Sequence, residues 1–247
     1  MQTGSFGRCA LALALGFGIT ATAPLNAASN QTEFDKALSL TADVKNGARL
    51  YRNCVACHGA EGWGDVNGAY PQIAGQLPGV IIKQLADIRA GNRDNPIMRA
   101  FSSQRSLGDA QSIADVAAYI SQLPMTSKNG RALGGNLDLG REIYRRECAD
   151  CHGADGEGDV KEHVPAIQGQ HYNYLMRQFH WIRNGRRRNA DPEMVRQIER
   201  FSAQDISAVM AFTATLQPPA EKLAEPGWTN PDFPNHWRNW RPTPNMR

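Results

Sequence analysis

The sequence predicts an all-α protein assembled by internal duplication, and three observations carry that expectation. The stretch "CVACHGAEGWGDV", starting at Cys54, returns as "CADCHGADGEGDV", starting at Cys148. Aligned without gaps, residues 54–93 and 148–187 share 18 identities in 40 positions by direct count, so the chain contains one unit twice. Outside the glycine-rich loops, apolar residues recur three and four apart, and no segment shows the period of two that marks a half-buried strand.

The elements follow in the same order in both copies. Each opens with a helical stretch, "GARLYRNCVACH" or "GREIYRRECADCH", in which Gly47 and Tyr51 match Gly140 and Tyr144. A glycine-rich loop with little periodicity comes next. Then "PGVIIKQLADIRAG" and "YNYLMRQFHWIRNG" carry the apolar spacing of an amphipathic helix stopped by glycine. Each copy closes on "DAQSIADVAAYISQL" or "SAQDISAVMAFTATL", with Asp109 and Ser202 as N-caps and Ser202 to Asp205 forming a capping box. Tyr51, Tyr119, Tyr144 and Phe212 are expected to pack between the first and last helices. The resulting division is a leader at 1–28, a first domain at 29–123, a linker at 124–136, a second domain at 137–216 and a C-terminal extension at 217–247. Units this small, with long glycine-rich loops, bury a limited core and call for a covalent or cofactor contribution.

The leader "MQTGSFGRCALALALGFGITATAPLNAASN" has one early cation at Arg8, an apolar run and small residues at Ala27 and Ala28, the pattern of a cleaved export signal. No later segment is long and apolar enough to span a bilayer. A formal net charge of +3 in 247 residues argues against a nucleic-acid partner, which would call for a strongly basic domain. Cleavage removes Cys9, so all four remaining cysteines lie in the two repeated motifs. In an oxidising compartment, Cys54–Cys57 and Cys148–Cys151 disulfides are one reading of them.

C-x-x-C-H has a more specific reading, attachment of c-type heme: two thiols add to the porphyrin vinyl groups and the next histidine reaches the iron. A disulfide or a thiol-redox pair does not require that histidine, and a zinc site wants its cysteine pairs together. His58 and His152 are then the proximal iron ligands, with Cys54, Cys57, Cys148 and Cys151 holding two hemes. Between residues 30 and 123 the only other soft ligand is Met98, with Met125 just beyond the last helix. The second copy offers Met176, Met194 and Met210 as well as His163, His171 and His180. The duplication sets "RDNPIM" against "RNADPEM", pairing Met98 with Met194, while a bis-histidine second heme is the alternative. Pro71 and Pro165 are either simple turns or carbonyl acceptors that fix the proximal imidazole.

With these motifs in order, the chain resembles the di-heme cytochromes c of the cytochrome c4 family: a signal peptide, C-x-x-C-H near each first helix, a "P-x-I-x-G-Q" segment, "KQL..IRAG" and a methionine before the final helix. The resemblance covers about residues 44 to 216. It implies two tandem class I cytochrome c domains, two covalently bound heme c groups, and iron ligation by His58 with Met98 and His152 with Met194. It also implies a periplasmic electron carrier rather than an enzyme, with a quinol-oxidising complex or dehydrogenase as donor and a terminal oxidase as acceptor. Two other functions stand beside it: a subunit docked to one dehydrogenase or oxidase, and a di-heme enzyme of thiosulfate dehydrogenase or peroxidase type.

Two segments fall outside the pattern. The Pro- and Trp-rich extension, with Trp228, Trp237 and Trp240, reads either as an arm over the protein's own surface or as a docking segment for a redox partner. The run "RNGRRRN" from Arg183 to Asn189 reads either as a steering patch for an acidic partner or as a solvated loop that also neutralises heme propionates.

Overall fold

Thr32 opens the first helix, where its hydroxyl accepts from the Asp35 amide while the Asp35 carboxylate accepts from the Thr32 amide. This computed structural model describes residues 32–233; the expected leader, Trp237 and Trp240 lie outside the described residues. Helix α1 (Glu33–Ser39) is an addition to the sequence-based expectation, and its signal was this capping box. The helical stretch expected before the first motif divides into α2 (Val44–Tyr51), capped by Asp43, and the single turn α3 (Val55–His58). Next come α4 (Pro78–Ala90), ended by Gly91 at φ 83°, then α5 (Pro96–Ser102), α6 (Gln104–Leu107) and α7 (Ala110–Gln122) under its Asp109 cap.

The second copy repeats the plan with α8 (Leu137–Glu147), α9 (Ala149–His152), α10 (Tyr172–Arg183), α11 (Pro192–Ile198) and α12 (Ala203–Thr213). The capping box of Ser202 and Asp205 is present as expected. Among the described residues there is no strand, only isolated bridges, so the all-α expectation holds. Among them, too, no helix is long and apolar enough to cross a membrane.

In each repeat the first helix crosses the last, α2 on α7 and α8 on α12, and a glycine sits at each crossing. A Cβ on Gly47 would lie 2.1 Å from the Asp115 carbonyl oxygen, and one on Gly140 2.2 Å from that of Ala208. Only glycine lets the two backbones approach this closely. One turn on, Tyr51 meets Tyr119 at 5.4 Å between ring centres, and Tyr144 meets Phe212 at 5.5 Å, as the pattern of aromatics predicts. Tyr51 and Tyr144 are both fully buried, each the centre of its own apolar cluster, and burial of such a ring contributes about 1.5–3 kcal/mol.

The seam between the repeats is a polar lattice with approximate twofold equivalence. The Gln76 side chain donates to the Ala166 carbonyl (2.9 Å) and accepts from its amide (3.0 Å). Its counterpart Gln170 donates to the Gln72 carbonyl (2.8 Å) and accepts from the Gln72 amide (3.0 Å). Each glutamine thus mimics a strand against the other repeat's loop and satisfies two buried backbone groups. The segment joining the repeats is threaded into this seam: Thr126 N–H donates to Gln72, and the Asn129 amide donates to the carbonyls of Gln170 and Ala214.

After α12 the chain returns to the first repeat. Met125 and Leu223 form a parallel bridge, with the Met125 amide donating to Lys222 and the Ala224 amide donating to Met125. Beyond it, Trp228 packs near Trp63, Asn230 donates to the Ala60 carbonyl (2.6 Å), and Phe233, 1% exposed, stands edge-on to Tyr51. Tyr119 donates to Asp232 (3.0 Å) and accepts from Asn230 (2.9 Å). As far as Phe233, the extension is therefore an arm laid over the protein's own surface.

Candidate functional site

The two C-x-x-C-H turns are built alike. The His58 amide donates to the Cys54 carbonyl (2.9 Å) and the His152 amide to that of Cys148 (2.9 Å), so the first cysteine and the histidine of each motif share one face of a helical turn. All four cysteines are free thiols, and the disulfide reading is not adopted. Burial pushes the Cys54 thiol up to about 12, with Cys57 adding to it; burial, then Glu147 and Cys151, push Cys148 to about 12. Among the described residues no group of three or more His, Cys, Asp or Glu could hold a metal ion, so the cysteine pairs do not build a zinc site.

Each motif is followed by a loop that turns back on its own histidine. The Tyr51 hydroxyl donates to the Gly59 carbonyl and that of Tyr144 to Gly153, both at 2.8 Å. Gly64 and Gly158 have φ of 71° and 75°, and a Cβ on either would lie 2.4 Å from a carbonyl oxygen of the returning strand of loop. This tight return brings the Pro71 carbonyl to 3.1 Å from His58 Nδ1 and the Pro165 carbonyl to 3.0 Å from His152 Nδ1. A carbonyl can only accept, so Nδ1 carries the proton and Nε2 keeps its lone pair. Burial lowers both histidine pKa values against the raising effect of the proline carbonyls, and Arg93 lowers that of His58 further. Neutral imidazoles with a fixed tautomer are what a metal ligand requires.

The methionines are distributed as follows. Met194 on α11 is half-buried and borders the same apolar cluster as Cys148. Met98 on α5 is half-buried, with its amide held by the Asn95 cap, and stands apart from the first apolar cluster. Met125 is 4% exposed beneath the arm and against Gly75, while Met210 is 7% exposed within α12 and Met176 packs on the second core. Of the spare histidines, His171 has both ring nitrogens bonded, Nδ1 accepting from Gly130 and Nε2 donating to the Trp63 carbonyl. His163 packs edge-on against Phe34 of the first repeat, and His180 is exposed on α10. The chemistry of the donor set, paired cysteines beside an imidazole with a free Nε2, fits c-type heme at both turns.

A polypeptide with two heme-attachment turns, each backed by a proline carbonyl, defines a class: the multiheme c-type cytochromes. The family model for cytochrome c matches twice, over residues 44–124 and 137–217, and the chain belongs to the cytochrome c family in its tandem, cytochrome c4 form. It is 32% identical over 199 residues to the thiosulfate dehydrogenase electron acceptor of Stutzerimonas stutzeri (strain A1501), covering 72% of this chain and 90% of that protein. With cytochrome c4 of Azotobacter vinelandii it shares 30% identity over 184 residues, 66% of this chain and 84% of the relative. The crystal structure of reduced recombinant cytochrome c4 from Pseudomonas stutzeri matches with a TM-score of 0.60 at 26% identity, over 72% of this chain and 100% of that one. The chain is accordingly a di-heme electron-transfer protein with two heme c groups.

Sequence reasoning missed two constellations. The Gln76 and Gln170 lattice was visible as an identical "GQ" in both copies, unexplained by either copy alone. The Tyr119 clasp on the arm was visible as a tyrosine facing a phenylalanine, Phe212, at the equivalent position.

Proposed function

We propose that this protein is an exported, periplasmic relay that accepts electrons from a dehydrogenase or quinol-oxidising complex and delivers them to a terminal oxidase. The mature chain begins after Ala27 or Ala28, and its domains run from 29 to 123 and from 137 to 216 about the 124–136 linker, with 217–247 as the extension. Cys54 and Cys57 hold one heme and Cys148 and Cys151 the other. His58 with Met98, and His152 with Met194, ligate the irons. Heme held by these residues would supply a one-electron ferric–ferrous couple, and ligation by histidine and methionine would favour a high potential.

The observation that carries the reading is the pair of equivalent imidazole–carbonyl bonds, His58 to Pro71 and His152 to Pro165, each leaving Nε2 free toward a ligand. The Gln76 and Gln170 bonds join the two repeats that carry these turns. Support for a sulfur-oxidising donor comes from the relative that is itself a thiosulfate dehydrogenase electron acceptor. The engagement of both ring nitrogens of His171 removes one of the three spare histidines as a ligand of the second iron, which supports methionine there.

The test is reduction of the purified holoprotein by thiosulfate, followed in visible light, with and without a purified thiosulfate dehydrogenase. Reduction of both hemes only when the enzyme is present supports the carrier. Reduction by thiosulfate alone would make this chain the enzyme, and failure with every dehydrogenase and quinol-oxidising donor would overturn the relay.

A further inference from the structure

The seam glutamines meet the peptide groups whose proline carbonyls hold the two proximal imidazoles, and each does so from the opposite repeat. His152 Nδ1 donates to the Pro165 carbonyl (3.0 Å), and the amide of the same peptide group, Ala166 N–H, donates to Gln76 Oε1 (3.0 Å). In the first repeat His58 Nδ1 donates to the Pro71 carbonyl (3.1 Å), and Gln72 N–H of that peptide group donates to Gln170 Oε1 (3.0 Å). Each imidazole is therefore joined through one planar amide to a glutamine of the other copy.

Both glutamines are pinned in this arrangement. Gly75 and Gly169, both at φ 66°, turn the chain immediately before them. Each Oε1 also accepts from the amide of the next residue, Leu77 (3.0 Å) or His171 (3.1 Å), the N-cap of α4 or α10. Each Nε2 donates to the carbonyl one residue beyond the proline, that of Ala166 (2.9 Å) or Gln72 (2.8 Å). An amide turned end for end would set its NH2 against two N–H donors, so Oε1 faces the proline peptide. Gln72, Ala166 and Gln170 are 3%, 6% and 7% exposed, which keeps water from competing for these bonds. The equivalence continues along the seam, where Arg93 and Arg187 form an antiparallel backbone bridge.

An amide whose N–H is bonded becomes a stronger acceptor at its carbonyl, because electron density moves along the peptide toward oxygen. In a shielded site each such bond strengthens its neighbour by roughly 10–30%. A stronger pull on Nδ1–H makes Nε2 a more electron-rich donor. That donor favours the more positive ferric iron over the ferrous, so the bond lowers the potential.

We propose that Gln76 and Gln170 are crossed positioning residues: each acts through one peptide group on the proximal histidine of the other repeat, holding its ring and lowering the potential of the heme it ligates. This rests on the di-heme reading above. It makes contact across the seam a part of each site, since separating the repeats removes the acceptor from both imidazole relays at once.

The experiment records the two imidazole Nδ1–H resonances by NMR of the reduced, diamagnetic holoprotein, each assigned through its own repeat, together with a spectroelectrochemical titration and the heme content. Gln76→Met removes the acceptor at nearly the same volume. It moves the His152 proton upfield and leaves that of His58 in place. It also raises one potential, changing the ferrous-to-ferric ratio of that heme about threefold, equivalent to about 28 mV for one electron. Gln170→Met moves the His58 proton alone and raises the other potential. Asn129→Ala breaks two other seam bonds, lowers Tm and moves neither proton. A shift in the variant's own repeat, equal shifts in both, no shift, or shifts as large in Asn129→Ala would overturn the crossed relay. Should either methionine variant fail to fold or to load two hemes, Gln76→Glu and Gln170→Glu decide, because a carboxylate is the stronger acceptor. A downfield shift confined to the proton of the opposite repeat upholds the relay, and an unmoved or upfield proton overturns it. A parent that carries fewer than two low-spin hemes would instead defeat the reading on which the proposal rests.

Discussion

Replacing Tyr119 with phenylalanine should loosen the C-terminal arm while leaving both heme sites intact. The hydroxyl makes two bonds to the arm, to Asp232 at 3.0 Å and from Asn230 at 2.9 Å. A bond to a charged acceptor contributes about 1.5–3 kcal/mol when well shielded, but Asp232 is exposed, which brings the expected loss to about 1–2 kcal/mol. For a body of this size that is a fall in Tm of roughly 2–8 °C. The arm keeps its other anchors, the Asn230 bond to Ala60 and the Phe233 ring on Tyr51, so it stays docked in most molecules. Its open population rises about 5- to 30-fold, and native-state proteolysis within residues 217–233 accelerates by the same factor where cleavage is slower than reclosing. Phe212→Tyr, the reciprocal change in the second repeat, lies away from residues 217–233 of the arm among the described contacts and leaves that cleavage rate unchanged. A Tyr119→Phe variant with parental Tm and parental cleavage would refute the idea that this hydroxyl clasps the arm.

Two further outcomes are expected. Gly47→Ala and Gly140→Ala each force a methyl into a carbonyl at a helix crossing, costing about 1–3 kcal/mol or more, and a Tm equal to the parent's in either would contradict the close approach. His171 has its pKa lowered by burial, against the raising effects of the Trp63 carbonyl and Asp65, so above pH 6.5 it is neutral in both folded and unfolded chains. As pH falls through 6.5 the unfolded chain takes up a proton that the native one refuses, and stability drops by at most about 1.4 kcal/mol per pH unit until the lowered folded value is passed. Denaturation at pH 7 and pH 5 should show a smaller drop in His171→Gln than in the parent; equal drops would remove His171 from the account.

Much of the fold was written in local signals. Repeated motifs, three-and-four spacing and the caps at Asp109 and Ser202 located the long helices, because each of these acts within a few residues. Helix α1 and the break between α2 and α3 were not foreseen, since a short capping box and a three-residue turn leave little periodic trace. The two C-x-x-C-H turns were legible for the same local reason, and the alignment of Met98 with Met194 needed only the duplication. What the sequence did not expose is contact at long range. Gln76, Gln170, Arg93 and Arg187 are identical in the two copies because they face one another across the seam, a relation that an alignment of the copies shows only as unexplained identity. The arm followed the same logic in reverse: among the described residues Tyr119 holds the C-terminal segment, while Phe212 at the equivalent position does not.

The central claim is that two hemes sit on equivalent turns with histidine and methionine on each iron, and the visible and near-infrared absorption of the oxidised holoprotein tests it most directly. The parent should show two low-spin c-type hemes with the weak long-wavelength band of methionine-ligated ferric heme. Met98→Ala and Met194→Ala should each remove about half of that band and lower one potential while heme content stays at two. A band that survives intact in either variant would contradict the assignment of that methionine, and a parent with one heme or one high-spin iron would contradict the paired sites.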